Sequence, residues 1–223
     1  KPPRRWWRRE PPTLDEDADD ESEGTVELDD LLEALNNGRT ITGDSPLHAV
    51  MHRTSQDALR ITGELNTGHQ EPARIRELLS ALTGTEVDAS VTLFPPLYSD
   101  FGKNLRIGRN VFINSGCRFQ DQGGVSIGDD ALIGHNAVVA TLNHALAPSR
   151  RADMTPEPVT TGRNVWIGAN VTILPGVSIG DDAVVAAASV VTRDVPAGAL
   201  VLGSPARVVR MVKEGKVTAV TGE

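Results

Sequence analysis

A period of six residues governs the middle of this chain. Ile107-Gly108, Ile113-Asn114, Ile127-Gly128, Ile133-Gly134 and Val139-Ala140 form one series. Ile167-Gly168, Ile173-Leu174, Ile179-Gly180, Val185-Ala186 and Val191-Thr192 form a second. Four places after such residues stand Ala131, Ala137, Val171, Val177, Ala183 and Ser189, all small or β-branched. An α-helix repeats every 3.6 residues and an isolated strand every two, so neither gives this pattern. Short β-rungs stacked into a triangular prism do, with three hexads per turn. The branched residue points inward and the small one fills the space beside it. The corners need tight turns, which Gly108-Arg109-Asn110, Gly128-Asp129-Asp130, Gly168-Ala169-Asn170 and Gly180-Asp181-Asp182 supply. The fold expected is mainly β: a left-handed parallel β-helix of hexapeptide repeats.

The register breaks twice. Ile113 and Ile127 are two residues too far apart, which places a bulge near residues 121–124. Residues 142–160 contain Pro148, Met154, Pro156 and Pro158 and cannot be regular rungs. They are expected to form a loop extruded from the prism, and such loops on rigid scaffolds tend to carry function.

Before the repeats the pattern is helical. Val26, Leu28, Leu31, Leu32 and Leu35 form an apolar stripe ended by Asn37-Gly38, residues 46–65 read as a second helix, and Pro72 opens a third that Gly84 stops. The expected organisation is a disordered charged tail (1–24), a small helical cap (25–92), the β-helix (93–212) and a C-terminal tail (213–223). The first 33 residues hold 12 acidic and 5 basic side chains, so nearly all of the net charge of −8 lies there. The folded part is close to neutral, with no basic field for nucleic acid. No apolar run reaches the ~18 residues of a membrane span, and no signal-peptide pattern opens the chain. One cysteine excludes an internal disulfide; a cytoplasmic location is expected.

His144, at the base of the extruded loop, is the candidate base. His48, His52 and His69 fall in the helical cap, and His135 at a corner facing solvent. Two histidines nine apart in the repeats make a poor metal set, so no metal is expected. Cys117 occupies an inward small-residue place and reads as buried rather than nucleophilic. Thr192, Arg193, Arg207, Arg210 and Lys213 gather near the C-terminus, where basic groups and free N–H groups suit phosphates.

Residues 113–124, Ile127-Gly128, Leu142-Asn143-His144, Asn164-Val165-Trp166-Ile167-Gly168, Ile173-Leu174-Pro175-Gly176 and Gly203-Ser204-Pro205-Ala206-Arg207 together resemble the maltose/galactoside O-acetyltransferases of the hexapeptide-repeat superfamily. The resemblance runs from about Leu93 to Val212. It implies acetyl-CoA as co-substrate, a small sugar-like acceptor, and His144 as general base. It implies Asp100 and Asn114 as acceptor contacts, with Gln122 standing where some members have an acidic contact. Trp166 would lie beside the pantetheine arm, and Ala169, Ala187, Thr192, Arg193, Arg207 and Arg210 would contact coenzyme A. Related enzymes pack three prisms in parallel, so a homotrimer with sites shared between subunits is expected. The residues themselves leave other classes open: an acetyltransferase for serine or a hydroxylated antibiotic, a non-catalytic hexapeptide scaffold, or a zinc carbonic anhydrase.

Overall fold

A computed structural model describes residues 26–212; the two expected tails, which include Lys213, and Thr25 of the expected cap lie outside the described residues. Three helices come first: α1 (Leu28–Asn36), α2 (Leu47–Leu65) and α3 (Pro72–Thr83). Their apolar stripes make them helices that need a partner. Leu31 and Leu35 of α1 are buried with Val50 and Met51 of α2, while Leu78, Leu79 and Leu82 of α3 join the core of the repeats. Pro72 sits in the first turn of α3, and Gly84 ends it in the left-handed conformation. The Lys103 ammonium, reaching across from the repeats, donates to the Ala81 and Leu82 carbonyls at that helix end, 2.9 Å each.

The repeats wind into a parallel β-solenoid of three faces. The first turn is β1 (Thr92–Leu93), β2 (Leu97–Ser99) and β3 (Leu105–Ile107), and the second is β4 (Phe112–Ile113), β5 (Cys117–Gln120) and β6 (Val125–Ile127). The third begins with β7 (Leu132–Ile133) and β8 (Val138–Ala140), detours through β9 (Leu142–His144) and β10 (Met154–Pro156), and resumes at β11 (Val159–Thr161). Then follow β12 (Trp166–Ile167), β13 (Thr172–Ile173), β14 (Ser178–Ile179), β15 (Val184–Val185) and β16 (Val190–Val191). β17 (Ala199–Gly203) turns back antiparallel through β18 (Ala206–Met211) and ends the first face. The first face stacks β1-β4-β7-β12-β15-β17, the second β2-β5-β8-β13-β16 and the third β3-β6-β11-β14.

The hexad reading holds at the level of side chains. Ile113, Ile133, Ile167, Ile173, Val185 and Val191 are buried, as are Ala131, Ala137, Val171, Val177, Ala183 and Ser189. Asn110, Asp130, Asn164 and Asp182 turn corners with positive φ, and Asn110 and Asn164 each donate to the aspartate one rung on, at 3.0 and 2.8 Å. No described helix is long and apolar enough to cross a membrane.

All departures from the period of six fall on one edge. Ile107 pairs with Ile127, Ile113 with Ile133 and Phe119 with Val139, so the early turns take 20 residues, two more than three hexads. From Ile167 to Val185 the turn takes 18. The surplus sits at residues 100–104 and 121–124, both between the second and third faces. The expected extruded loop leaves the same edge. It is a hairpin in which β9 and β10 pair antiparallel, Met154 opposite His144, with a single 3-10 turn at Pro148–Arg150. The connector between α1 and α2 adds a third rung to it: Ile41 and Met154 exchange backbone hydrogen bonds of 2.8 and 2.9 Å. The helical region thus steadies the hairpin as well as covering one end of the solenoid.

Candidate active site

His144 ends β9 and is exposed at the hairpin. Its ring Nδ1 lies 2.9 Å from the carbonyl oxygen of Arg151. A carbonyl only accepts, so Nδ1 carries the proton and Nε2 keeps its lone pair free. The base of the hairpin is tied to the prism by buried polar contacts. The Thr141 hydroxyl donates to the Gln120 carbonyl and accepts the Gly123 N–H at 2.9 Å. The Leu142 N–H donates to the Gln120 side chain at 3.2 Å. Thr141 is fully buried.

Asp100 lies two turns below on the same edge, after β2, and desolvation by burial raises its carboxyl pKa above its ordinary value. The residues on either side of it are held by Asp121, whose carboxylate is wholly buried. Asp121 accepts from the Ser99 hydroxyl at 2.9 Å, the Phe101 N–H at 3.1 Å and the Gly102 N–H at 2.6 Å. Desolvation outweighs those three donors and pushes Asp121 up to about 6. Gln122 is next in the chain. Its amide oxygen is buried with no hydrogen-bond partner among the described residues, an arrangement that costs about 1–3 kcal/mol. Asp100, Gln122 and His144 therefore share the irregular edge.

Asn114 does not. It follows β4 at the edge between the first and second faces, and its side-chain oxygen accepts the Ser115 N–H at 3.0 Å. Above it, a cavity of 560 Å³ is lined by His135, Trp166, Ala169, Ala186, Ala187 and Ala188, among others. Trp166, Ala169 and Ala187 are thus brought together at one cavity. Gly134 and Gly168 keep this cavity open to backbone. A Cβ on Gly134 would lie 2.7 Å from the Ala169 nitrogen, and one on Gly168 2.5 Å from the Ala187 nitrogen. Neither N–H has an acceptor among the described residues, so both are available to a ligand. Arg193 and Arg207 line a smaller cavity of 140 Å³ at the end of the solenoid. Thr192 is exposed beside Arg193, and Arg210 lies on β18 opposite Leu200.

Cys117 is buried, and burial raises its thiol pKa, which disfavours the thiolate. Among the described residues no group of three His, Cys, Asp or Glu could hold a metal. Sequence reasoning missed Asp121, Thr141, Gln120 and Arg151 as parts of the site. Only Asp121 left a signal, a carboxylate at a register break; a backbone carbonyl such as that of Arg151 leaves none.

Solenoid, corner cavity and histidine hairpin define a hexapeptide-repeat transferase. Residues 158–193 match the family described as bacterial transferase hexapeptide (six repeats), and residues 104–141 the hexapeptide repeat of succinyl-transferase. The galactoside O-acetyltransferase of Escherichia coli (strain K12) is 37% identical over 153 residues, covering 68% of this chain and 75% of that enzyme. A maltose O-acetyltransferase structure from Clostridium difficile 630 superposes with a TM-score of 0.75 at 29% identity, over 82% of this chain and 97% of that one. A hexapeptide-repeat acetyltransferase from Vibrio cholerae, solved with acetyl coenzyme A, superposes with a TM-score of 0.70 at 34% identity, over 82% and 99%. The chain belongs to the galactoside and maltose O-acetyltransferase family.

Proposed function

We propose that this chain acetylates a hydroxyl of a small sugar-like acceptor from acetyl-CoA, with His144 as general base and no covalent intermediate. The coarser activity, acetyl-CoA-dependent O-acetyl transfer, follows from family membership. The observation that carries the finer reading is the His144 imidazole, held with Nδ1 protonated against the Arg151 carbonyl and Nε2 free. Nε2 takes the acceptor proton as the oxygen attacks the thioester carbonyl, and base catalysis of this kind contributes roughly 10²–10⁴-fold. The oxyanion is met by the unpaired Ala169 N–H, a donor fixed before reaction. The tetrahedral intermediate expels the thiolate of coenzyme A, which takes the proton back from the imidazolium. Trp166, Ala169 and Ala187 seat the pantetheine arm in the corner cavity, and Thr192, Arg193, Arg207 and Arg210 meet its phosphates. Asp100, Asn114 and Gln122 contact the acceptor.

The thiol-release assay with acetyl-CoA and a panel of sugars, serine and hydroxylated antibiotics tests this. His144→Ala is expected to lower turnover roughly 10²–10⁴-fold with coenzyme A binding retained; wild-type turnover would remove His144 from the mechanism.

The active assembly in this reading is a homotrimer. Its support is that one chain divides the machinery between two edges. His144 stands on one, the Ala169 cavity and Asn114 on the other, separated by the width of the second face, about 13 Å for the four residues of β5. The outward residues of the first face, Phe112, Leu132, Trp166 and Val184, form an apolar file in register that a neighbouring prism would cover. Mixing inactive His144→Ala and Asn114→Ala chains should restore part of the activity, since some interfaces regain both intact halves. A monomer by light scattering, or a mixture as inactive as its parents, would defeat the shared site.

A further inference from the structure

We propose that Arg151 is a positioning residue that fixes the tautomer of His144, an inference that rests on His144 being the base. Arg151 grips the hairpin in two ways. Its carbonyl oxygen accepts the Nδ1 hydrogen of His144 at 2.9 Å. Its guanidinium turns back across the loop, where Nε donates to the Ala145 carbonyl at 2.9 Å and Nη2 to the Leu146 carbonyl at 2.8 Å. The side chain thus holds the two residues after His144, and the main chain of the same residue holds the ring. No carboxylate pairs with Arg151 among the described residues, so its charge is directed entirely at these carbonyls. Bonds from a charged donor in a fork are stronger than neutral ones and fix direction. The far side of the loop is anchored separately. Asp153 accepts the Arg150 guanidinium at 2.7 Å and the Gly43 N–H at 2.9 Å.

Two bonds from one side chain prevent the Arg151 peptide from turning its oxygen away. Without them the ring is free to place its proton on Nε2, and a histidine in that tautomer cannot accept the acceptor's proton there. Only the remaining fraction of molecules is a competent base. The guanidinium touches no reacting atom in this scheme; it acts through His144.

The test compares full-length wild type, Arg151→Ala, Arg151→Lys and His144→Ala. Long-range ¹H–¹⁵N spectra of the imidazole report the tautomer directly, and thiol release reports turnover. Wild type should show a protonated Nδ1. Arg151→Ala should move the proton toward Nε2 and lower kcat roughly ten- to hundredfold, the scale of a small misplacement of a catalytic group, with KM for acetyl-CoA unchanged. Arg151→Lys, which keeps the charge but not the fork, should recover part of both. If the alanine variant does not fold, Arg151→Gln takes its place with the same expected shift. An unchanged tautomer in Arg151→Ala or Arg151→Gln overturns the proposal whatever the turnover does. Wild-type turnover in His144→Ala removes the base reading instead, and the tautomer measurement keeps the two failures apart.

Discussion

Thr141→Val removes one oxygen from the base of the hairpin that carries His144 and nearly nothing else. The hydroxyl is fully buried. It donates to the Gln120 carbonyl and accepts the Gly123 N–H, so its loss leaves a buried donor and a carbonyl short of a partner. Each orphaned group costs about 1–3 kcal/mol. Valine has the same shape and is more apolar, which returns a fraction of that. The net expectation is a loss of about 2–4 kcal/mol, or a fall in Tm of roughly 5–15 °C for a chain of this size. Turnover should fall as well, because Thr141 lies three residues before His144 and its carbonyl also accepts the Glu157 N–H at 2.8 Å, closing the hairpin's neck. Thr141→Ser keeps the hydroxyl and should retain most of both. The assay is urea unfolding of the three proteins beside thiol release. A valine variant as stable as wild type would show that the hydroxyl carries no net energy, and the account of the hairpin's anchorage would fail.

The buried Asp121 gives stability an unusual pH dependence. Its folded pKa of about 6 exceeds its unfolded value near 3.8, so the native state binds more protons in that window. Stability therefore falls as pH rises from about 4 to 6, by about 3 kcal/mol from this group. Urea melts of wild type and Asp121→Asn across that range should diverge by this amount, and parallel curves would refute the assignment. Gln122→Leu should remove the orphaned amide oxygen and raise stability by about 1–3 kcal/mol while raising KM for the acceptor and leaving KM for acetyl-CoA alone. Unaltered acceptor kinetics would take Gln122 out of the acceptor site.

The repeats were legible because a solenoid writes its geometry directly into sequence. Each rung buries one branched side chain, so a fixed period of six follows from the cross-section alone. The first turn was harder to read. Ser99 occupies an inward place and is buried against Asp121 of the next turn's insertion, so a polar residue stands where the pattern asks for an apolar one. The hairpin was legible only as an interruption. Its pairing with Ile41 links residues more than a hundred apart, and no local period records such a contact. His144 could be named as a candidate by type and place, whereas the partner of its Nδ1 is a main-chain oxygen, which every residue possesses. Gly168 was read as a corner turn, and Gly134 only as the residue after a periodic Ile. The structure shows why both are glycine: the backbone nitrogens of Ala169 and Ala187 lie too close to where their methyl groups would sit.

The uneven distribution of irregularity along the prism connects these readings. Two edges of the solenoid keep tight corners, with asparagine, aspartate or alanine in the left-handed conformation at Asn136, Asn164, Asn170, Asp182 and Ala188. Such corners have little room for side chains that do chemistry, and one of them offers backbone N–H groups instead. The third edge carries every insertion, and with it Asp100, Asp121, Gln122 and His144. A solenoid tolerates surplus residues where they leave at a corner, since the rungs on either side still pair. In the proposed reading, the base and the backbone N–H donors therefore lie on different edges of one rigid body. In the proposed enzyme they meet where the hairpin edge of one prism faces the alanine-lined corner of the next, so a defect in assembly would remove activity while leaving each subunit folded.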